Sequence, residues 1–435
     1  MKQRLIQLLG AQGAMTSAAI QAKLNVSQAT VSRLVKAQSD ALLVCGKGKS
    51  TQYALAHAIG TAPSQQPIWR VNADGLAERV GNLSFLSQSQ IHIAADGVSQ
   101  VFTPTRNEVL PWFLSPLKAE GFLGRWLAQQ LLVLGVSANP ETWDSEMALI
   151  GALRTRDAPG AMLLGSGASS ADQASVQLPD ANLAAALDAT ASDLAKNLPA
   201  GSSAGGEQPK FLATDAQGDA LLVKFSPPLG TPFGDRWSDL LRMEVLSSKV
   251  LKSHGFAVAE NKFVQTATRS YLLSKRFDRV AKAGRAHVVS LAAAHHAFVK
   301  GALIDWTATG DQLARQKRLP PSDAETIHTV FQFGRLIGNT DMHFGNASLF
   351  VDGLTLKDVV KGQFRLAPVY DMLPMRWRPD PVNGLSDYAP FALDLTFASA
   401  LARHAAKDLW REVSTDRYTS APLKAVALLM AAALD

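Results

Sequence analysis

Apolar residues in the first 57 positions recur at helical spacing three times and then alternate. Leu5, Ile6, Leu8 and Leu9 predict a short helix, ended by Gly10 and Gly13. Thr16 is placed to cap a second helix with Ala19, Ile20 and Leu24 inward, and Asn25 to break it. Ser27 caps a third, SQATVSRLVKAQ, whose inward face is Val31, Leu34 and Val35. LLVCGKGKSTQYAL follows as two strand-like runs around a Gly-Lys-Gly-Lys tip. Residues 58–68, AIGTAPSQQPI, carry no period and read as a linker.

From residue 69 to 165, strand-like runs (IWRVNA, SQIHIAA) mix with a helical stretch, EGFLGRWLAQQLLVLGV, and no catalytic spacing stands out. Small residues dominate from Gly165 to Leu198, with an amphipathic helix near ANLAAALDATASDLAK. FLATDAQGDALLVKF then reads as strand, turn, strand, DLLRMEVLSSKVLKSHG as a helix, and YLLSKRFDR as a strand ending in charges. TIHTVFQFGRLIG predicts a core helix, and Ser348 to Val351 and Phe364 to Ala367 predict strands. TFASALARHAAKDLWREV and LKAVALLMAAALD are helical, so residues 281–435 are expected to form a mostly helical lobe. The fold class expected is α+β.

Composition narrows the setting. The 435 residues suffice for two to three domains. No apolar run reaches the ~18 residues of a membrane span, and no signal peptide is evident. The single cysteine, Cys45, excludes a disulfide framework, so a cytoplasmic protein that does not engage membranes is expected. The formal net charge of +6 lies wholly in residues 1–57, which hold seven basic residues against Asp40 alone. Such concentration fits a module that meets a polyanion. Gln28, Thr30, Ser32, Arg33 and Lys36 face outward on the third helix, as a helix in a DNA major groove requires. Lys47 and Lys49 at the hairpin tip are placed to reach phosphates, so the segment reads as a winged helix-turn-helix. A small interaction domain with a solvated basic face is the other reading.

Candidate chemistry clusters in the back half. GNTDMHFGN holds Asp341 and Asn346 five positions apart, and LAPVYD delivers Asp371. A carboxylate to take a hydroxyl proton, with an amide and a second carboxylate to hold Mg²⁺, is what phosphoryl transfer needs. Upstream, AGSSAGGEQPKF (Ala200 to Phe211) can turn backbone N–H groups toward an anion, although it lacks Walker A spacing. Lys224 in the following strand is a cation for phosphates, or simply a solvent-facing lysine, and Glu244 is its potential ion-pair partner. Lys275, Arg276 and Phe277 stand where a hinge would offer its backbone to adenine. His343 lies between Asp341 and Asn346 and counts as a catalytic and nucleotide-binding candidate, a purely structural histidine being the alternative. His295 and His296 lack a third metal ligand at suitable spacing.

In this order of parts the chain resembles the HipA family of bacterial serine/threonine kinases, toxins of type II toxin–antitoxin systems. SSAGGEQPK looks like the family's phosphate loop, GNTDMHFGN like its catalytic loop, LAPVYDMLP like its metal-binding segment, and LPWFLSPLKAEGFLGR like part of its N-terminal subdomain. The resemblance spans about residues 70–400, and the fused N-terminal segment is similar to the YjjJ-type branch of the family. It implies a two-lobed kinase-like fold behind the winged helix-turn-helix. The expected divisions are a HipA N-terminal subdomain at 69–165, a kinase N-lobe at 166–280 and a C-lobe at 281–435. It further implies ATP and Mg²⁺ as cofactors. Asp341 would be the catalytic base, Asn346 and Asp371 the metal holders, and Lys224 with Ser203, Ala204, Gly205 and Gly206 the phosphate binders. The family silences itself by phosphorylating its own phosphate loop, here at Ser203 or the chemically equivalent Ser202. That adds about −1.5 to −2 charges where ATP phosphates must lie. Implied partners are DNA, a protein substrate, and either an antitoxin chain or a second copy. A DNA-binding regulator that senses nucleotide without phosphotransfer, and a kinase acting on a small molecule, are the competing readings.

Overall fold

Thr16 and Ser27 open helices as their positions predict: their side chains accept from the N–H groups of Ala19 (3.2 Å) and Thr30 (3.3 Å). The structure is a computed structural model that describes residues 1–169, 175–196, 208–380, 382–396 and 398–435. The chain divides into two units, the first built from residues 1–120, 124–173 and 352–362 and the second from the remainder.

In the first unit, helices Lys2–Gln12, Ser17–Leu24 and Gln28–Lys36 enclose Leu5, Leu9, Ile20, Leu24, Val31 and Leu34. A small antiparallel sheet closes them, with Gln52–Leu55 between Met15–Thr16 and Leu42–Cys45. A five-stranded antiparallel sheet follows, in the order Val98–Phe102, Ile91–Ala95, Ala77–Phe85, Gln65–Val71, Met162–Leu164. Strand Gln65–Val71 begins inside the stretch read as a linker, where Ile59 is also buried. The apparent linker is therefore structured. The N-terminal segment is also tied down: Gly46 N–H donates to Ser99 Oγ at 2.7 Å and Ala14 N–H to Gln90 Oε1 at 2.8 Å.

In the second unit, five strands run in the order Asn261–Gln265, Ser270–Lys275, Ala220–Phe225, Lys210–Thr214, Val176–Gln177, with only the last pairing parallel. Phe211, Val223, Phe225, Tyr271 and Leu273 on one face pack with Leu187 and Ala191 of helix Leu183–Lys196. The long helix Pro232–Ser253 carries buried charge that distant residues satisfy. Arg242 makes two bonds to Asp416 (2.6 and 3.1 Å), and Asp239 accepts from Tyr388 Oη (2.8 Å) and Ser420 N–H (2.8 Å).

The expectation of a mostly helical lobe over 281–435 is met only in part. Helices Leu291–Phe298, Trp306–Arg315, Pro321–Leu336, Ala400–Thr415 and Ala421–Ala432 are present. They share the lobe with a three-stranded sheet, Val288–Ser290, Ser348–Val351 and Phe364–Leu366. The described part of residues 367–399 holds only the short turn Met375–Trp377, because Pro379, Pro390 and Gly384 deny it helix. Arg236 organises this stretch instead, donating to the carbonyls of Trp377 and Ser386 (both 2.8 Å) and stacking on Tyr388. Among the described residues, no helix is long and apolar enough to cross a membrane.

Candidate active site

Lys224 is buried rather than turned to solvent. Strand Ala220–Phe225 sets it opposite Lys210 on one neighbour and Leu272 on the other, and it is only 6% exposed. Helix Pro232–Ser253, opened by the Thr231 cap and Pro232, brings Glu244 to it. Lys224 Nζ lies 2.9 and 2.8 Å from the two oxygens of Glu244, and 2.5 Å from Asp371 Oδ1. Burial alone would lower the Lys224 pKa, but the carboxylates of Asp371 and Glu244 outweigh it and raise it. Burial pushes Glu244 up despite the ammonium beside it. Asp371 is held below its ordinary value, because Lys224 and then Lys210 overcome its desolvation.

Helix Pro321–Leu336 ends in a Schellman motif that aims the next loop. Gly338, at φ 77°, donates its N–H to Arg335 O, and Asn339 donates its N–H to Gly334 O at 2.9 Å. The buried Asn339 side chain then accepts from Asp341 N–H (3.0 Å) and donates to Asp371 O (3.3 Å). Asn346 Nδ2 donates to Asp341 O (2.8 Å). Gly334 has no room for a Cβ, which would lie 2.4 Å from Met342 Sδ, so the loop seats closely on the helix.

Asp371 has φ 59°, a left-handed backbone uncommon for a residue with a Cβ. Tyr370 beside it donates to Gly345 O and meets Ser348 Oγ, both at 2.8 Å. Burial pushes its hydroxyl up to about 12, so it remains a donor. The Tyr370 ring packs on Phe277 with centroids 5.6 Å apart. His343 is exposed; its Nδ1 accepts from Gly345 N–H (3.0 Å), and its charge contributes to the lowering at Asp371. At the expected hinge, the Lys275 and Arg276 N–H groups already donate to Glu260 O and Ala220 O, both at 2.9 Å. The Lys275 side chain pairs with Asp219 at 2.7 Å. Of the three hinge N–H groups, Phe277's alone donates to no backbone carbonyl among the described residues.

The donor set fits Mg²⁺ shared with a nucleotide. Asn346 Oδ1 and Asp371 Oδ2 are hard oxygens with no side-chain hydrogen bond among the described residues. Among those residues no cluster of three His, Cys, Asp or Glu forms a complete metal cage. An ion held by one amide, one carboxylate and phosphate oxygens is the arrangement these residues allow.

Comparison with known proteins decides the family. The HipA-like C-terminal domain matches residues 202–431, and the YjjJ-like toxin middle domain matches residues 62–172. A protein named Toxin YjjJ, from Escherichia coli (strain K12), is 31% identical over 431 residues, covering 96% of this chain and 94% of its own length. The chain belongs to the HipA-like family. The HipA-like fold is seen in a solved complex as well, the Shewanella oneidensis MR-1 toxin–antitoxin system of HipA, HipB and operator DNA. That match has a TM-score of 0.55 at 16% identity and covers 84% of this chain and 96% of that one.

In this HipA-like chain, Lys224, Glu244 and Asp371 meet directly, Asp341 joins them through Asn339, and Asn346 is bonded in turn to Asp341. Ser202, Ser203, Ala204, Gly205 and Gly206 lie outside the described residues. In the N-terminal segment Gln28, Ser32, Arg33, Lys36 and Lys47 are exposed and Thr30 is half-buried; the Lys49 side chain lies outside the description. Sequence reasoning missed Lys210, whose pairing opposite Lys224 was legible only once register was known, and Asn339, which sits in plain view within GNTD.

Proposed function

We propose that the chain is an ATP- and Mg²⁺-dependent protein serine/threonine kinase of the HipA toxin kind, carrying its own winged helix-turn-helix. The observation that carries the reading is the meeting of Lys224, Glu244 and Asp371, with Asn339 tying the Asp341 loop to Asp371. In the proposed reaction Asp341 takes the proton of an acceptor hydroxyl as its oxygen bonds to the γ-phosphorus. The bond to the β–γ bridging oxygen breaks, and ADP leaves with that electron pair. Lys224 steadies the phosphate charge, Asn346 and Asp371 supply the metal's protein oxygens, and bound Mg²⁺ would offset the developing negative charge. The Phe277 backbone is the proposed hinge contact for adenine, and the exposed His343 is the proposed phosphate contact.

The exposed Gln28, Ser32, Arg33 and Lys36, with Thr30 beside them, support insertion of helix Gln28–Lys36 into a major groove, and the exposed Lys47 supports phosphate contact from the hairpin tip, where Lys49 is the further proposed contact. A protein acceptor and an antitoxin or second copy are the proposed further partners, in the cytoplasm.

Purified protein incubated with Mg²⁺ and ATP, followed by peptide mass spectrometry, tests this. Phosphate on the Gly201–Lys210 peptide, absent in Asp341→Ala, is expected, and its position decides between Ser202 and Ser203. ATP binding with no phosphate on this chain or on any protein of a cell extract would overturn the kinase reading. A nucleotide-sensing DNA-binding regulator would then take its place.

A further inference from the structure

We propose that Asn339 is a positioning residue that fixes the spacing between the Asp341 loop and the Asp371 carboxylate. The inference rests on the kinase reading above. Both ends of its amide are used, and the partners dictate its orientation: Asp341 N–H can only donate, so Oδ1 faces it at 3.0 Å, and Asp371 O can only accept, so Nδ2 faces it at 3.3 Å. The residue is 7% exposed, so water does not substitute readily for either bond.

Its backbone is fixed independently. The Asn339 N–H closes the Schellman motif on Gly334 O, so the side chain leaves a rigid helix end rather than a free loop. The carbonyl it holds belongs to Asp371, whose left-handed φ of 59° must be stabilised by its surroundings. Lys224 holds one carboxylate oxygen of Asp371, and Asn339 holds its main chain. Together they leave the second carboxylate oxygen aimed by two anchors. Tyr370 makes a parallel tie, but it reaches Gly345, not Asp341. Among the described residues, Asn339 is thus the side chain whose bonds link the main chains of Asp341 and Asp371.

Asn339→Asp keeps the acceptor for Asp341 N–H, loses the donor to Asp371 O and places charge beside it. Asn339→Ser is smaller and neutral and spans neither gap fully; it serves if Asn339→Asp does not fold. In the full-length chain, Mn²⁺ affinity is read by electron paramagnetic resonance with a non-hydrolysable ATP analogue, alongside kcat, KM for ATP and Tm. The expected result is Mn²⁺ affinity weakened about tenfold, in the range for residues that orient metal ligands. Expected too are a fall in kcat with KM for ATP little changed, and partial recovery at high Mg²⁺. Folded variants with wild-type Mn²⁺ affinity and kcat would overturn the inference, as would a lowered Tm with Mn²⁺ affinity intact. Wild-type protein that binds Mn²⁺ and the analogue but transfers no phosphate overturns the kinase reading alone, and the Mn²⁺ comparison still judges Asn339. Wild-type protein that binds no Mn²⁺ overturns both.

Discussion

The side-chain amide of Asn346 donates to the main-chain carbonyl of Asp341 across 2.8 Å, so the two ends of the D-x-x-x-x-N loop hold each other. This bond leaves Asn346 Oδ1 and the Asp341 carboxylate for chemistry. Asp341→Ala removes the carboxylate and not the carbonyl. It is expected to lower the phosphotransfer rate about 10²–10⁴-fold, the contribution of a general base, with Tm unchanged. A radiolabelled-ATP assay with parallel thermal melts checks it; a variant as active as wild type would remove Asp341 from its role.

Lys224 is the counter-cation of a buried Glu244, so its loss is expected to affect stability. Lys224→Ala is expected to cost about 3–5 kcal/mol at neutral pH, the range for breaking a buried pair. The pH dependence has a definite sign. Burial already raises Glu244, so in the variant its folded pKa exceeds the unfolded value of about 4.3. Proton uptake then favours the folded form below that value, and this advantage disappears as pH rises through the raised pKa. The stability deficit against wild type should therefore widen from pH 4.5 to pH 8 (roughly the unfolded carboxylate value to well above it) in urea titrations. A deficit constant over that range would mean that Glu244 does not retain its proton.

Gly338 combines φ 77° with a crowded Cβ position, 2.7 Å from Arg376 Cδ and 2.9 Å from Phe391 Cζ. Gly338→Ala should destabilise by at least about 1–2 kcal/mol from backbone handedness alone. Differential scanning calorimetry reads the shift, and a melting temperature equal to wild type would show that the helix end relaxes freely.

For the N-terminal segment the informative quantity is the salt slope of DNA affinity. If Arg33 and Lys36 each meet a phosphate, the double change to alanine should make the log–log slope shallower by about 1.8, at roughly 0.9 per contact. Fluorescence anisotropy with duplex DNA at several salt concentrations provides the measurement. An unchanged slope would move the contact surface elsewhere.

Much of the second unit can be read from local pattern. The alternation around the Asp215–Asp219 turn marks strands Lys210–Thr214 and Ala220–Phe225, and the apolar spacing in DLLRMEVLSSKVLKSHG marks helix Pro232–Ser253 from Asp239 onward, its first two turns being missed. The Lys224–Glu244 pair follows from residue type and order, and the two side chains do meet. The Asn339 link was not legible, because its second partner, Asp371, lies 32 residues further on and is reached only through tertiary folding. The start of strand Gln65–Val71, ahead of the strand-like run IWRVNA, was masked by Pro67 and three glutamine and serine neighbours, which read as linker until strand Ala77–Phe85 pairs with it. The hinge donors show a third cause: residue identity says nothing of which N–H groups a sheet already engages.

The bonds from Asp239 to Ser420 and from Arg242 to Asp416 span 181 and 174 residues of chain. At a synthesis rate of 5–20 residues per second, the interval between making the two ends is roughly ten to thirty-five seconds. For that time the helix bearing Glu244 carries buried charges without these partners. A chain still on the ribosome therefore lacks the bonds that hold this helix until residue 420 has been made. The cell's own translation clock thus separates the making of this helix from the making of the residues that complete it.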